Sequence, residues 1–156
     1  MTHRVLVIGL GSNDRGEDVA GLLVAHRVRR GCGESADVVE VDSSACDLTQ
    51  RWSEAQNVVL VEATLGEHPG EVRRYDVNHA TVPAGLLEHA RLPHLEPMIR
   101  DAQRRGTLPE RMTIYAIEAE RFRREAGVSP DVARAAGQVA VEIIGRVTAD
   151  ADTGSS

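Results

Sequence analysis

The sequence contains few cysteines. Cys32 and Cys46 are the only two among 156 residues, and they form no CxxC pair. A disulfide scaffold or a thiolate zinc site needs a regular set of cysteines, so neither is expected. A chain of this length buries roughly two-thirds of its unfolded surface in one core and therefore needs no cross-link to fold. We expect a single domain over residues 1–148 in a reducing compartment.

Aromatic side chains and excess positive charge are also lacking. The chain has one Trp, two Tyr and one Phe, and its net charge is −6. Because a general nucleic-acid binder needs a basic surface and stacking platforms, nucleic acid is not expected as a partner. Arginines do cluster within residues 100–111 and 121–124. They form either a local basic contact surface or solvated helix faces.

No long hydrophobic run is present near the N-terminus. The segment Met1–Arg4 leads directly into the run VLVI at residues 5–8. This run is too short for the core of a signal peptide or for a membrane span, and it is typical of a strand. We therefore expect a cytoplasmic protein that does not associate with membranes.

Short β-branched runs alternate with helical patterns along the chain. The runs are Val5–Ile8, Val38–Val41, Val58–Val61, Val72–Tyr75 and Met112–Ile117. Continuous runs of this kind are typical of strands that are buried on both faces. Helical patterns lie at 19–28, 48–55, 95–105 and 130–147. The alternation predicts a three-layer α/β fold, with a mostly parallel twisted sheet of about five strands and helices on both faces.

One link, the start of the last helix and the C-terminal segment refine this fold. The link Gly66–Gly70 between the third and fourth runs is too short for a helical crossover, so the fourth strand is predicted to be antiparallel. Ser129 and Pro130 are typical of an N-cap and the first residue of a helix. The segment 149–156 is small and polar, which predicts a disordered tail.

A glycine-rich loop, GLGSNDRGED, spans residues 9–18 after the first predicted strand. A dinucleotide-binding fingerprint needs its third glycine where this chain has Asp14, and an acidic residue there repels a pyrophosphate. No NAD or ATP site is therefore expected. The loop offers instead Glu17 and Asp18, at the positive end of a helix dipole, where they are either helix caps or functional groups.

A further carboxylate, Glu62, follows the third predicted strand. The carboxyl end of a buried parallel strand lies in the crevice where open α/β sheets bind ligands. Glu62 is therefore either a site residue or a solvated charge at the end of a strand.

The stretch GLGSNDRGEDVAG resembles the N-terminal signature of the hydrogenase maturation endopeptidases. In that family the second acidic residue of the signature binds the nickel of the substrate, and the matching residue is Asp18. Ser12 stands where the family has asparagine. The resemblance also implies a metal ligand at Glu62, where the family more often has aspartate. It extends from about Val5 to Val147 and is weakest between residues 76 and 106.

The resemblance implies a histidine as the third ligand, and the chain has six candidates: His3, His26, His68, His79, His89 and His94. The segments VPA at 82–84 and LPH at 92–94 resemble the family's sequence before its ligand histidine, which favours His94. The helix that follows is then about one turn shorter than is usual in the family. His89 is the alternative, because it would leave that helix slightly long.

The resemblance implies an endopeptidase that recognises nickel in the precursor of a [NiFe]-hydrogenase large subunit and removes its C-terminal peptide. Asp18, Glu62 and His94 would contact the metal, and Asp18 or Glu62 would orient or deprotonate water. Oxygen and nitrogen ligands suit a divalent first-row ion. The nickel is expected to arrive with the precursor, with no tightly bound organic cofactor, and the protein is expected to be a monomer.

Two alternatives are a regulatory domain that binds a nucleotide or small ligand and a chaperone of the same family that binds the precursor without cutting it. The sequence has no HExxH or GxSxG motif, so no nucleophile is assigned.

Overall fold

The computed structural model describes residues 4–11, 19–42, 48–53, 55–78, 95–120 and 128–154. The elements in chain order are β1 (Val5–Gly11), α1 (Val19–Cys32), β2 (Ala36–Asp42), α2 (Leu48–Trp52), β3 (Asn57–Gly66), β4 (Val72–Val77), α3 (Leu95–Arg105), β5 (Arg111–Glu120) and α4 (Pro130–Gly154). Each predicted strand and helix is present, and α3 has the predicted bounds.

The strands form one five-stranded sheet in the order β2-β1-β3-β5-β4. β1 pairs in parallel with β2 and β3, and β3 pairs in parallel with β5. β4 pairs with β5 and is antiparallel to it. The mostly parallel sheet and the antiparallel fourth strand are therefore both confirmed.

Helices cover both faces of the sheet, and each face has its own apolar core. On one face, the α1–α4 face, the core consists of side chains from β1, β3, β5, α1 and α4, including Val24, Val28, Ala136, Val139 and Ile143. The α2–α3 face is packed with the opposite side chains of the same strands and with residues of α2 and α3, including Trp52, Leu60, Leu95, Ile99 and Ile114. Because side chains alternate along a strand, each strand contributes to both cores.

Glycine allows α1 to lie unusually close to the sheet. A Cβ atom at Gly9 would collide with the backbone of Gly21 and with Ala25. A Cβ atom at Gly21 would collide with the carbonyl oxygen of Leu10 and would lie 2.7 Å from that of Val61. The first turn of α1 therefore rests directly on the ends of β1 and β3, as only glycine permits.

The last helix begins as its sequence predicts. The Ser129 hydroxyl accepts a hydrogen bond from the backbone N–H of Val132 at 3.3 Å, and the Ser129 carbonyl accepts one from Ala133 at 2.9 Å. α4 then continues to Gly154, into the segment 149–156 whose composition predicts a tail. Ala149 and Ala151 in this stretch favour helical backbone. None of the described helices is long and apolar enough to cross a membrane.

Candidate functional site

The chain reverses its winding direction between β1 and β3. The chain passes from β1 to β2 through α1 on one face, and from β2 to β3 through α2 on the other. β1 and β3, which are neighbours in the sheet, therefore have their connections on opposite faces. At such a switch point the carboxyl ends of the two strands leave a crevice, which is where open α/β sheets bind ligands.

The two strands stop pairing just where this crevice begins. The last residues of β1 and β3 that pair with each other are Gly9 and Val61. β1 continues to Gly11, paired with β2, and β3 continues to Gly66, paired with β5. The carboxyl ends of β1 and β3 thus lie side by side without a shared ladder.

Glu62 follows Val61, the last residue of β3 that pairs with β1. Glu62 is buried, with only 2% of its surface exposed. Val61 and Ala63 point into the α1–α4 core, so alternation places Glu62 on the α2–α3 face. Neither carboxyl oxygen has a hydrogen-bond partner among the described residues. Burial raises the pKa of Glu62 well above its ordinary value, because a buried charge loses its hydration. The interpretation of Glu62 as a solvated charge is therefore wrong.

A buried carboxyl group without partners is unfavourable unless something binds it. A divalent cation binds carboxylate oxygens and favours the deprotonated form, so it would satisfy both oxygens and offset the desolvation. Glu62 thus has the chemistry of a metal ligand. Within the described ranges, no group of three His, Cys, Asp or Glu side chains could hold a metal ion, so a site with three such ligands would need at least one from outside them.

Asp18, His94 and the alternative His89 lie outside the described residues. The neighbouring structure is informative for Asp18, since α1 begins at the next residue, Val19. Gly21, in the first turn of α1, abuts the carbonyl oxygen of Val61, the residue before Glu62. Residues 12–18 therefore directly precede a helix whose first turn lies beside the crevice, and the roles of Asp18 and His94 stay predictions.

Glu118 is a second acidic residue near this end of the sheet, and the sequence did not single it out as a site residue. It pairs in register with Thr64, and alternation places it on the same face as Glu62. Its carboxylate accepts a hydrogen bond from the backbone N–H of His68. Its backbone also bonds to Gly70 and Glu71, at 2.8 Å in each case. Glu118 thus fixes the link from β3 to β4, in which Gly70 has a φ of +93° that favours glycine.

The arginines of α3 lie away from this site. Arg104 and Arg105 both form ion pairs with Asp101, at 3.3 and 3.0 Å, and both are largely exposed. They occupy the C-terminal turn of α3, which leads into the amino end of β5, whereas Glu62 lies at the carboxyl end of the sheet. These two residues fit the prediction of a solvated helix face, and residues 121–124 lie outside the described ranges.

Comparisons with known proteins identify the fold. No family model matches the sequence, and no curated protein matches it. Solved structures do match. One is the [NiFe] hydrogenase maturation protease HybD from Thermococcus kodakarensis, with 21% identity, a TM-score of 0.68, and coverage of 92% of this chain and 98% of that chain.

Two further structures agree. The hydrogenase maturating endopeptidase HybD from E. coli has 13% identity and a TM-score of 0.70, with coverage of 93% of this chain and 92% of that one. The [NiFe] hydrogenase maturation protease HycI from Thermococcus kodakarensis has 18% identity and a TM-score of 0.66, with coverage of 94% and 93%. The chain therefore has the fold of the hydrogenase maturation proteases, over nearly its whole length, as the sequence resemblance implied.

Proposed function

We propose that this chain is an endopeptidase that recognises nickel in the precursor of a [NiFe]-hydrogenase large subunit and removes its C-terminal peptide. One observation carries the proposal beyond the fold. Glu62, which the sequence resemblance matches to the family's acidic ligand position, has a buried carboxyl group without a partner among the described residues. A carboxyl group with only a packing role would instead be solvated or hydrogen-bonded.

In this proposal the nickel belongs to the substrate. Glu62, Asp18 and His94 would contact it when the precursor binds, and the ion would polarise the scissile carbonyl group or activate water. Burial raises the pKa of Glu62 and so favours its protonated form, whereas metal binding would favour the deprotonated form. The carboxylate of Asp18 or Glu62 would then orient the attacking water or accept its proton.

The direct test is to incubate the purified protein with two forms of the precursor, one loaded with nickel and one without metal. Mass spectrometry should show one cut near the C-terminus of the loaded form and none in the metal-free form. Equal cutting of both forms would contradict metal recognition. If the loaded form binds but stays uncut, the chain is a chaperone and the protease assignment is wrong.

The ligand assignments are tested by substitutions outside the described residues. Asp18→Asn should abolish processing, because an amide is a much poorer metal ligand than a carboxylate. His94→Ala should also abolish processing of the nickel-loaded precursor, whereas the matched variant His89→Ala should retain most of it. The reverse result for the two histidines would move the nitrogen ligand to His89.

A further inference from the structure

On its β1 side, β3 pairs with no other described strand beyond Val61. On its β5 side β3 is paired along its whole length, from Asn57 to Gly66. On its β1 side the pairing covers only Val58 to Val61. Among the described residues, no strand pairs with residues 62–66 on that side. Residues 62–66 therefore form an inner strand edge, which starts at the buried carboxyl group of Glu62.

This inner edge differs from the two outer edges of the sheet. β2 and β4 are the outermost strands. β4 carries exposed Arg73, Arg74 and Asp76, and charges of this kind discourage the addition of another strand. The inner edge contains no proline and reads EATLG, so each of its residues keeps a backbone N–H group. Backbone groups on an open edge are complementary to one kind of partner, an extended polypeptide.

We propose that residues 62–66 of β3 bind the substrate peptide as an additional strand next to Glu62. The proposal rests on the proposed function, because it takes the C-terminal segment of the precursor as the occupant. A protease must hold its substrate in an extended form so that the scissile bond has a fixed position. The open edge does so through backbone hydrogen bonds alone, and the same edge leads to the residue that would contact the metal.

The two faces of β3 then impose a pattern on the bound peptide. Glu62, Thr64 and the neighbouring Glu118 share the α2–α3 face. Ala63, on the opposite face, belongs to the apolar α1–α4 core. Side chains of an added strand alternate in the same way. The substrate class is therefore an extended peptide in which polar residues, on the side of the two acids, alternate with small apolar residues.

Amide hydrogen exchange tests the binding mode, and NMR is suited to a chain of 16.9 kDa. The isotope-labelled protein would be measured alone and with the nickel-loaded precursor, while cutting of the precursor is followed in parallel. Within residues 62–66, the amides that face β1 should exchange quickly in the free protein and about tenfold or more slowly with the precursor. The outer edge of β4, residues 72–77, is the matched control and should not change.

The outcomes separate this proposal from the proposed function. Cutting without any slowing of exchange at residues 62–66 would overturn strand addition and leave the protease assignment in place. Protection of the same amides in the free protein would also overturn it, because the edge would already be covered. A precursor that is neither bound nor cut would overturn both.

A synthetic peptide with the sequence of the precursor's C-terminal segment provides a second readout. N-methylation of single amides removes one hydrogen-bond donor at a time. Strand addition predicts that methylation at every second position weakens competition with the precursor by about tenfold, whereas the positions between them tolerate it. Equal effects at all positions would overturn the proposal, because an added strand bonds to β3 through alternate residues.

Discussion

Buried polar groups on the two faces of the sheet differ in whether they have hydrogen-bond partners. On the α1–α4 face, two buried hydroxyl groups have partners. The hydroxyl group of Tyr115 bonds to Glu142 at 3.0 Å and to Arg146 at 3.3 Å, and that of Thr113 bonds to Arg146 at 3.2 Å. On the α2–α3 face, Glu62 has no partner among the described residues, nor does the indole N–H of the fully buried Trp52.

The difference distinguishes a face that stabilises the fold from a face that carries reactive groups. A satisfied polar network stabilises one packing arrangement. An unpartnered buried carboxyl group lowers stability, and such groups are concentrated at sites that bind ligands or carry out reactions. We therefore assign the α1–α4 face a structural role and the α2–α3 face, near the crevice, the functional one. Three substitutions test this contrast.

The largest effect on stability is expected from Glu62→Gln as the pH changes. Because burial raises the pKa of Glu62 in the folded state above its ordinary value of 4.5, the folded protein binds this proton more tightly than the unfolded one. Wild-type stability is thus fully present below the unfolded pKa and falls as the pH rises toward the folded pKa. The Glu62→Gln variant has no titratable group at this position, so its stability does not fall in this way.

Chemical denaturation between pH 4 and pH 8 measures the effect. The free energy of unfolding of Glu62→Gln should exceed that of the wild type by an amount that grows at up to about 1.4 kcal/mol per pH unit. Parallel curves for the two proteins would mean that the carboxyl group has a partner, and the contrast between the faces would disappear.

A smaller effect, here a loss of stability, is expected from a substitution where α1 meets the sheet. Gly21→Ala introduces a Cβ atom against the carbonyl oxygens of Leu10 and Val61, which are backbone atoms that cannot turn away. Overpacking of this kind costs about 2 kcal/mol. Gly145→Ala, in open space on α4, is the matched control and should stabilise the protein by up to about 1 kcal/mol. If both variants have the wild-type melting temperature, α1 does not pack as closely as described.

The smallest of the three effects is expected from Tyr115→Phe on the α1–α4 face. Burial is the main cause that raises the pKa of Tyr115, so its hydroxyl stays protonated and donates to Glu142. The substitution leaves Arg146 and Glu142 with fewer partners and should cost about 1 kcal/mol in denaturant titrations. A gain in stability would show that this face, too, carries an unfavourable polar group.

The order of elements could be predicted from the sequence because it depends on local patterns. Apolar runs identify strands that are buried on both faces, and the short link at 66–70 requires an antiparallel strand whatever the rest of the chain does. Ser129 and Pro130 identify the start of α4 for a similar local reason. The same patterns placed Glu62 directly after the apolar run of the third strand.

The burial of Glu62 could not be predicted. The apolar run ends at Val61, which suggests that the strand ends there, yet β3 continues to Gly66. Pairing with β5 extends it, and Glu118 fixes the link that follows. The contact between Gly21 and the ends of β1 and β3 likewise depends on how a helix approaches a sheet. Tertiary packing determines both features, and no short sequence pattern encodes them.

The most direct test of the central claim compares two carboxyl groups near the carboxyl end of the sheet. Glu62 is buried without a described partner, whereas the side chain of Glu71 is 46% exposed and lies 4.0 Å from Arg73. Processing of a nickel-loaded precursor would be followed by mass spectrometry for the wild type, Glu62→Gln and Glu71→Gln, with a melting curve for each protein. We predict that Glu62→Gln is folded and does not cut, while Glu71→Gln cuts at the wild-type rate. Cutting by Glu62→Gln at the wild-type rate would contradict the account.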